Sequence, residues 1–135
     1  MTKEFDMEEV KKYMIPYFCK AKTMTKEARN IYLESKLCTI ANKFGFMGQM
    51  KYPVKYTDPK GRIRHGWISV AWLDEDDNVV LALEVNNMVR ARSLIKLNTI
   101  VADNKLWIYY GKQTRKFDVA LKLYNGDNSI EVVRP

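Results

Sequence analysis

The sequence has few of the residues that build the commonest metal and redox sites. It contains one histidine, His65, and two cysteines, Cys19 and Cys38, which lie far apart and form no CxxC spacing. A chain with one histidine and no paired cysteines cannot assemble a zinc site of the usual types. Nucleophilic triads and glycine-rich phosphate loops are also absent from the sequence. We expect both cysteines to be buried thiols in helices.

Long apolar runs are missing as well. No run approaches the ~20 residues that a membrane-spanning helix needs, so we expect no membrane partner. The opening residues, MTKEFDMEEV, are acidic where a secretory signal would be basic and then apolar. We therefore expect a cytoplasmic (intracellular) protein. The sequence has 135 residues and no repeats, linkers or low-complexity segments, so residues 1–135 are expected to form a single domain.

Positive charge is in excess. The chain has 23 lysines and arginines against 16 aspartates and glutamates, which gives a formal net charge of +7. A small basic domain often binds nucleic acid, because neutralising phosphates is the usual use of such an excess. A basic surface that only keeps the protein soluble explains the charge equally well.

Hydrophobic spacing predicts an α/β (α+β) fold. The clearest unit is a hairpin, with two β-rich runs at 62–73 and 79–86 joined by the polar turn 74–78. Pro16 should end or kink the first helix near Ile15, and a proline in the first strand indicates an edge or a bulge. The other predicted elements are helices at 6–22, 25–46, 89–102 and 115–127, and strands at 48–57, 104–111 and 129–135. The order is α-α-β-β-β-α-β-α-β, a mixed β-sheet flanked by helices.

One glutamate stands inside a run, VVLALEVNN, that otherwise reads as a buried strand. Residues two apart in a strand share a face, so Glu84 and Asn86 project together. Folding the hairpin brings Ser69 roughly opposite Leu83–Glu84 and so close to the glutamate, and the next helix carries Arg92 and Lys96 on one face. A carboxylate in such a place needs a partner, a metal or a proton. It is either one half of a structural ion pair with Arg92 or Lys96, or part of a functional site.

The segment ISVAWLDEDDNVVLALEVNN, with the later RSLIKL and KLWIYYG, resembles the core of the PD-(D/E)xK restriction-endonuclease-like superfamily. In that superfamily an acidic residue on one strand and a (D/E)xK element on the next hold a divalent metal. A helix, often with a KL step, and another strand follow. The resemblance covers about residues 27–111 and implies a restriction-endonuclease-like core.

Several site residues follow from this resemblance. Glu84 matches the acid of the (D/E)xK element, and Glu34 matches a helix glutamate that some members add, which implies that both are ligands of Mg²⁺ or Mn²⁺. Two positions depart from the pattern, because Ser69 stands where the strand aspartate is expected and Asn86 where the motif lysine is expected. Lys96 is placed like the lysine that some members carry on the next helix. The implied catalytic group is Glu84, Lys96, Glu34 and Ser69, and the missing aspartate leaves its activity open.

The basic residues fall in three segments that flank Glu84. Tyr52, Tyr56 and Trp67 are interleaved with the first segment, where they either offer stacking surfaces to bases or pack inward. The residues predicted to contact nucleic acid are Arg62, Arg64, His65, Arg90, Arg92, Lys112 and Arg115.

These features predict a nucleic-acid-binding protein of nuclease-like fold. Such a protein is either a divalent-metal-dependent phosphodiesterase acting on DNA or RNA, or a relative that has lost catalysis and kept binding. We expect it to act as a homodimer or within a larger protein complex. The alternative is a non-catalytic interaction module or inhibitor, for example of phage or mobile-element origin, that docks on a nucleoprotein complex by its basic face.

Overall fold

The chain folds as a five-stranded sheet between two layers of helices. The computed structural model describes residues 5–135. In chain order the elements are α1 (Met7–Lys22), α2 (Lys26–Thr39), a 3-10 helix (Ile40–Phe44), β1 (Met47–Thr57), β2 (Ile63–Leu73), β3 (Val79–Asn86), α3 (Ala91–Thr99), β4 (Asn104–Tyr109), α4 (Arg115–Tyr124) and β5 (Ile130–Val133). The prediction of a mixed α/β fold, with helices beside a mixed sheet, is confirmed.

The strands lie in the sheet in their order along the chain, from β1 to β5. Strands β1, β2 and β3 are antiparallel neighbours, whereas β4 runs parallel to β3 and β5 runs parallel to β4. Parallel neighbours need a crossover connection, which α3 and α4 supply. Strand β1 is at one edge of the sheet, as the proline at position 53 predicts, because a proline has no N–H to give to a second neighbour.

Each face of the sheet has its own core. Helices α1 and α2 cover one face with apolar side chains that include Val10, Met14, Phe18, Leu33 and Leu37. Helices α3 and α4 cover the other face with Leu94, Leu97, Phe117 and Ala120. In β3, Leu83 and Val85 pack toward α1 and α2, whereas Ala82 packs toward α3 and α4. The alternation of side chains along a strand therefore places Glu84 on the α3 side.

Helix α1 continues through its proline. Asp6 caps it, accepting hydrogen bonds from two N–H groups of the first turn. Pro16 lies inside the helix. Of the two predicted effects, a kink stays a prediction, whereas an end of the helix near Ile15 is wrong. The reason is tertiary packing, because Met14 and Phe18 on either side of the proline are both buried against the sheet. Their burial stabilises a helical path that local preference disfavours.

The outward faces of the helices reach solvent. Cys19 lies on such a face of α1 and is exposed, and Cys38 of α2 is partly exposed. The expectation of buried thiols is thus wrong for Cys19 and only partly right for Cys38, since the face of the helix decides burial. Across residues 5–135, none of the helices combines the length and the apolar character that crossing a membrane requires.

The sheet opens around Ser69. Pairing of β2 with β3 begins at Val70 and Leu83 and runs from there toward the hairpin turn, leaving Ser69 outside the ladder. On the other side of β2, Lys51 would be the partner of Ser69, but it is missing from the β1–β2 ladder and has a φ of 55°. A positive φ at a non-glycine residue inside a strand costs on the order of 1–3 kcal/mol. Such strain is typical of functional positions, and here it lies beside the buried glutamate.

Candidate functional site

Glu84 is a buried carboxylate at the point where β2 and β3 separate. It is only 4% exposed. The backbone N–H of Ser69 donates to its Oε1 (3.1 Å), and the Ser69 hydroxyl donates to its Oε2 (3.3 Å). From α3, the Ser93 hydroxyl donates to Oε2 (3.2 Å) and the Lys96 Nζ lies 3.3 Å from Oε1. The predicted meeting of Glu84, Ser69 and Lys96 is therefore found, and Ser93 joins them.

Ser93 was not predicted from the sequence, although a signal for it exists. It stands three residues before Lys96 in the same helix, and such positions lie on one helix face. A site that includes Lys96 therefore also includes position 93. The Ser93 hydroxyl matters because it donates to Glu84 Oε2 and so occupies one of the acceptor positions of the carboxylate.

The four contacts occupy the acceptor positions of Glu84. A carboxylate offers about four such positions, and the two serines and the lysine fill them. Burial, the largest effect, raises the pKa of Glu84 above its ordinary value, while the charge of Lys96 and the hydrogen bonds from the lysine and serines oppose that rise. The Glu84 carboxylate thus has a hydrogen-bond partner at each acceptor position, and its main partner is the Lys96 cation.

Lys96 also ties α3 to β2. Its Nζ donates to the carbonyl oxygen of Trp67 at 2.8 Å, besides its contact with Glu84. The lysine stem passes over Gly66, where an added Cβ would lie 3.6 Å from the lysine Cδ and 3.3 Å from the ring of Tyr56. A residue with a side chain at position 66 would crowd that ring, so glycine suits this position.

Glu34 approaches the same point from α2, on the opposite layer. Burial first, and then the charge of Glu84, raise the pKa of Glu34, whereas Lys51 and a hydrogen bond from Ser69 lower it. The Ser69 hydroxyl has one proton and so can donate to only one glutamate at a time. Two carboxylates therefore share this opening in the sheet and repel each other.

A divalent cation at this point would depend on these two glutamates and on water. Within residues 5–135, no group of three or more histidine, cysteine, aspartate or glutamate side chains is placed to hold a metal. Mg²⁺ accepts one or two protein carboxylates when waters and a substrate phosphate complete its shell. Glu34 and Glu84 meet that minimum. Glu84, however, already contacts Ser69, Ser93 and Lys96, and a metal would have to displace these partners.

Glu34→Gln is expected to stabilise the protein at neutral pH. Both glutamates bind a proton more tightly in the folded chain than at their ordinary pKa of 4.5. Their contribution to stability is therefore complete below 4.5 and is lost as the pH rises through the raised folded pKa values. The glutamine removes one of the two charges and its repulsion.

Urea unfolding of wild type and Glu34→Gln over a series of pH values tests this. The two proteins should have equal stability below pH 4.5, and the variant should gain over the wild type as the pH rises. A variant that is less stable than the wild type at neutral pH would contradict the repulsion between the two glutamates.

Asn86 is committed to the core. It is 7% exposed, and its Oδ1 accepts a hydrogen bond from the Trp107 Nε1 at 2.8 Å. The superfamily that the sequence resembles carries a lysine at this position. Here the side chain is neutral and orients a buried tryptophan. The cation of the site comes from α3 instead.

Two adjoining clefts open beside Glu84 and share Tyr56, His65 and Arg92. The first, of about 390 Å³, contains the Glu84 network, and its other lining residues include Trp67 and Arg90. The second, of about 450 Å³, runs along the arm formed by the ends of β1 and β2. Together the clefts carry six lysines and arginines against two carboxylates, Asp58 and Glu84. The cations are Lys60, Arg62, Arg64, Arg90, Arg92 and Lys96.

Asp58 organises the arm of the second cleft. Its Oδ2 accepts from the Nε of Arg62 (3.0 Å) and from the Nε of Arg64 (3.1 Å), and its Oδ1 accepts from the N–H groups of Lys60 and Arg62. The N–H of Arg62, followed by the Arg64 and Arg62 side chains, lowers the pKa of Asp58 to about 2. Within residues 5–135, these guanidinium groups form no other ion pair, so their terminal N–H groups face solvent.

Arg90 and Arg92 stand at the start of α3. Arg90 is the N-cap residue, but its side chain makes no capping hydrogen bond. Arg92 lies in the first turn, which has no acidic residue. Both are exposed, and neither side chain forms a hydrogen bond or an ion pair within the part of the chain that the structure describes. Cations are unfavourable at the positive end of a helix. An anion bound between them would relieve that repulsion.

Lys112 and Arg115 belong to the third basic segment, which follows β4. Both are exposed after β4, and the Lys112 carbonyl oxygen accepts a hydrogen bond from the Tyr109 hydroxyl (2.8 Å). Neither residue lines the two clefts beside Glu84. Strand β3 lies between β4 and the β1–β2 arm, so the third basic segment is separated from the first.

The three aromatics of the first basic segment have different environments. Tyr56 is 7% exposed and Tyr52 packs against the α3-side core. Trp67, by contrast, is 54% exposed. Inward packing is therefore right for the tyrosines, and the tryptophan remains on the surface.

Comparison of the chain with protein-family models, with curated proteins and with solved structures found no match. The resemblance to restriction-endonuclease-like proteins rests on the order of elements and on the residues around Glu84. What the protein does has to follow from the geometry of its own clefts.

Proposed function

We propose that the protein is an intracellular nucleic-acid-binding protein with a restriction-endonuclease-like core. It binds the phosphates of a nucleic-acid strand without cleaving that strand. The observation that carries this proposal is the charge of the two clefts. Six cations surround two carboxylates, and internal partners already satisfy both carboxylates. The remaining guanidinium N–H groups match the oxygens of a phosphate, which arginine binds with paired hydrogen bonds.

The Glu84 network argues for binding without catalysis. Metal-dependent phosphodiester hydrolysis needs a cation with open positions for water and substrate. Glu84 has its acceptor positions filled by Ser69, Ser93 and Lys96, and Lys96 is also held by the Trp67 carbonyl oxygen. In this role the buried pair fixes α3 against β2 and so sets the shape of the first cleft.

A second candidate is a phosphodiesterase that depends on Mg²⁺ or Mn²⁺. The specific observation in its favour is the repulsion between Glu34 and Glu84, because two carboxylates held together are a common cation site. Glu34 and Glu84 would hold the metal once the serine hydroxyls turned away, and the metal would supply an activated water. Lys96 would then stabilise charge that develops on the phosphate.

Incubation of labelled single-stranded and duplex DNA and RNA with the protein separates these candidates. Binding in EDTA, with strands that stay intact in Mg²⁺ and in Mn²⁺, is the result we expect. Metal-dependent cleavage that disappears in Glu34→Gln and in Glu84→Gln would establish the second candidate instead. If no nucleic acid is bound at low salt, both fail, and the protein-interaction module becomes the leading function.

A further inference from the structure

Trp67 is exposed, and it borders the first cleft through its backbone. Its side chain projects from the face of β2 opposite to that of its neighbours Gly66, which faces Lys96, and Ile68, which is in the α3-side core. The other two tryptophans, Trp72 and Trp107, are 0% exposed, whereas Trp67 is 54% exposed. Large aromatic side chains usually bury most of their surface, so an exposed indole on a strand that borders a charged cleft is unusual. An indole in such a place is typical of surfaces that bind a flat, apolar ligand group.

The backbone of Trp67 is fixed although its side chain is exposed. Its carbonyl oxygen accepts the hydrogen bond from the Lys96 Nζ, and the residue pairs with Pro53 in the β1–β2 ladder. The indole is therefore attached to a rigid strand that is itself anchored to α3. A ligand that stacks on the ring does not have to order the backbone first, and this lowers the cost of binding.

Lys51 completes the environment of the indole. Its Nζ lies 5.6 Å from the centre of the Trp67 ring, and its charge lowers the pKa of the nearby Glu34. The positive φ of Lys51 is the strained position opposite Ser69. A cation beside an exposed ring offers one partner for a base and another for the phosphate attached to it.

We propose that Trp67 and Lys51 form a stacking subsite for an unpaired nucleotide, which makes the clefts selective for single-stranded nucleic acid. The base stacks on the indole and Lys51 contacts the phosphate attached to it, while neighbouring nucleotides of the strand contact the arginines of the clefts on the other face of β2. In a duplex the faces of each base are covered by its neighbours, so the indole has nothing to stack on. This inference rests on the proposed binding of phosphates and adds the substrate class.

Fluorescence anisotropy with three labelled ligands tests the subsite. The ligands are a single strand (DNA or RNA), an abasic strand of the same length, and a duplex. Trp67→Ala should bind the single strand about 5- to 100-fold more weakly than the wild type and leave the other two ligands unchanged. Trp67→Phe should keep most of the affinity. Ile63→Ala, a matched control on the same strand that is 63% exposed, should change none of them.

Intrinsic fluorescence gives a second readout from the wild-type protein. Because Trp72 and Trp107 are buried, iodide should quench mainly Trp67. Single strands should lower the Trp67 emission and protect it from iodide, and abasic strands should do neither. Equal affinity for all three ligands, unchanged in Trp67→Ala, would overturn the subsite while phosphate binding stands. If no ligand binds, the proposed function fails and the subsite fails with it.

Discussion

Lys96→Met is expected to lower the free energy of unfolding by about 3–5 kcal/mol at neutral pH. The substitution leaves Glu84, which is 4% exposed, without its cation, and it removes the donor to the Trp67 carbonyl oxygen. Methionine keeps an unbranched stem over Gly66, so the loss reports the charge more than the packing. Urea unfolding measures the change.

Two controls identify the cause of that loss. Glu84→Gln in the Lys96→Met background should recover much of the stability, because a neutral amide needs no cation and can still accept from the serines. Lys112→Met removes an exposed lysine and should change stability by less than about 0.5 kcal/mol. The loss in Lys96→Met should also shrink as the pH falls, because burial raises the pKa of Glu84 and the folded chain takes up this proton above the ordinary pKa of 4.5. Equal effects of the two lysine substitutions would show that the buried pair contributes nothing.

Arg64→Gln combined with Arg92→Gln should weaken nucleic-acid binding roughly 10- to 100-fold at moderate salt. The two arginines line the second cleft from different elements, the β1–β2 arm and the start of α3. Their removal therefore takes phosphate donors from both sides of one groove. Binding isotherms with a labelled strand measure the loss, and both positions are exposed, so the fold should be unaffected.

Lys112→Gln combined with Arg115→Gln is the matched control for this pair. It removes the same amount of charge from residues that lie outside both clefts. Screening limits the reach of exposed charges to about 10 Å at 0.1 M salt, so a small effect on affinity is expected. If the two double variants lose equal affinity, the binding comes from diffuse charge and the clefts have no special role.

The hairpin and its glutamate could be predicted from sequence because the information is local. The two strands and their polar turn are contiguous, and the length of the turn sets which residues lie opposite each other. The pairing at the turn would put Leu83 opposite Ser69, and a bulge between Trp72 and Leu73 shifts it by one residue to Glu84. Helical spacing then places Lys96 beside them. The predicted bounds of β3, residues 79–86, are those observed.

Other features depend on contacts between distant parts of the chain. The opening of the sheet at Ser69 and Lys51 leaves no sign in hydrophobic alternation. Helix α1 runs through Pro16 because its face packs on the sheet, which local preference does not encode. The separation of Lys112 from the basic residues of the β1–β2 arm follows from the order of the strands, and no short-range pattern specifies that order.

The salt dependence of binding tests the central proposal most directly. The logarithm of the association constant for a single strand is measured against the logarithm of the salt concentration. If the clefts neutralise three to six phosphates, the slope should be about −2 to −4, and Arg64→Gln with Arg92→Gln should reduce its magnitude by about 1.4. Affinity that is independent of salt, or an unchanged slope in the variant, would contradict phosphate binding by these clefts.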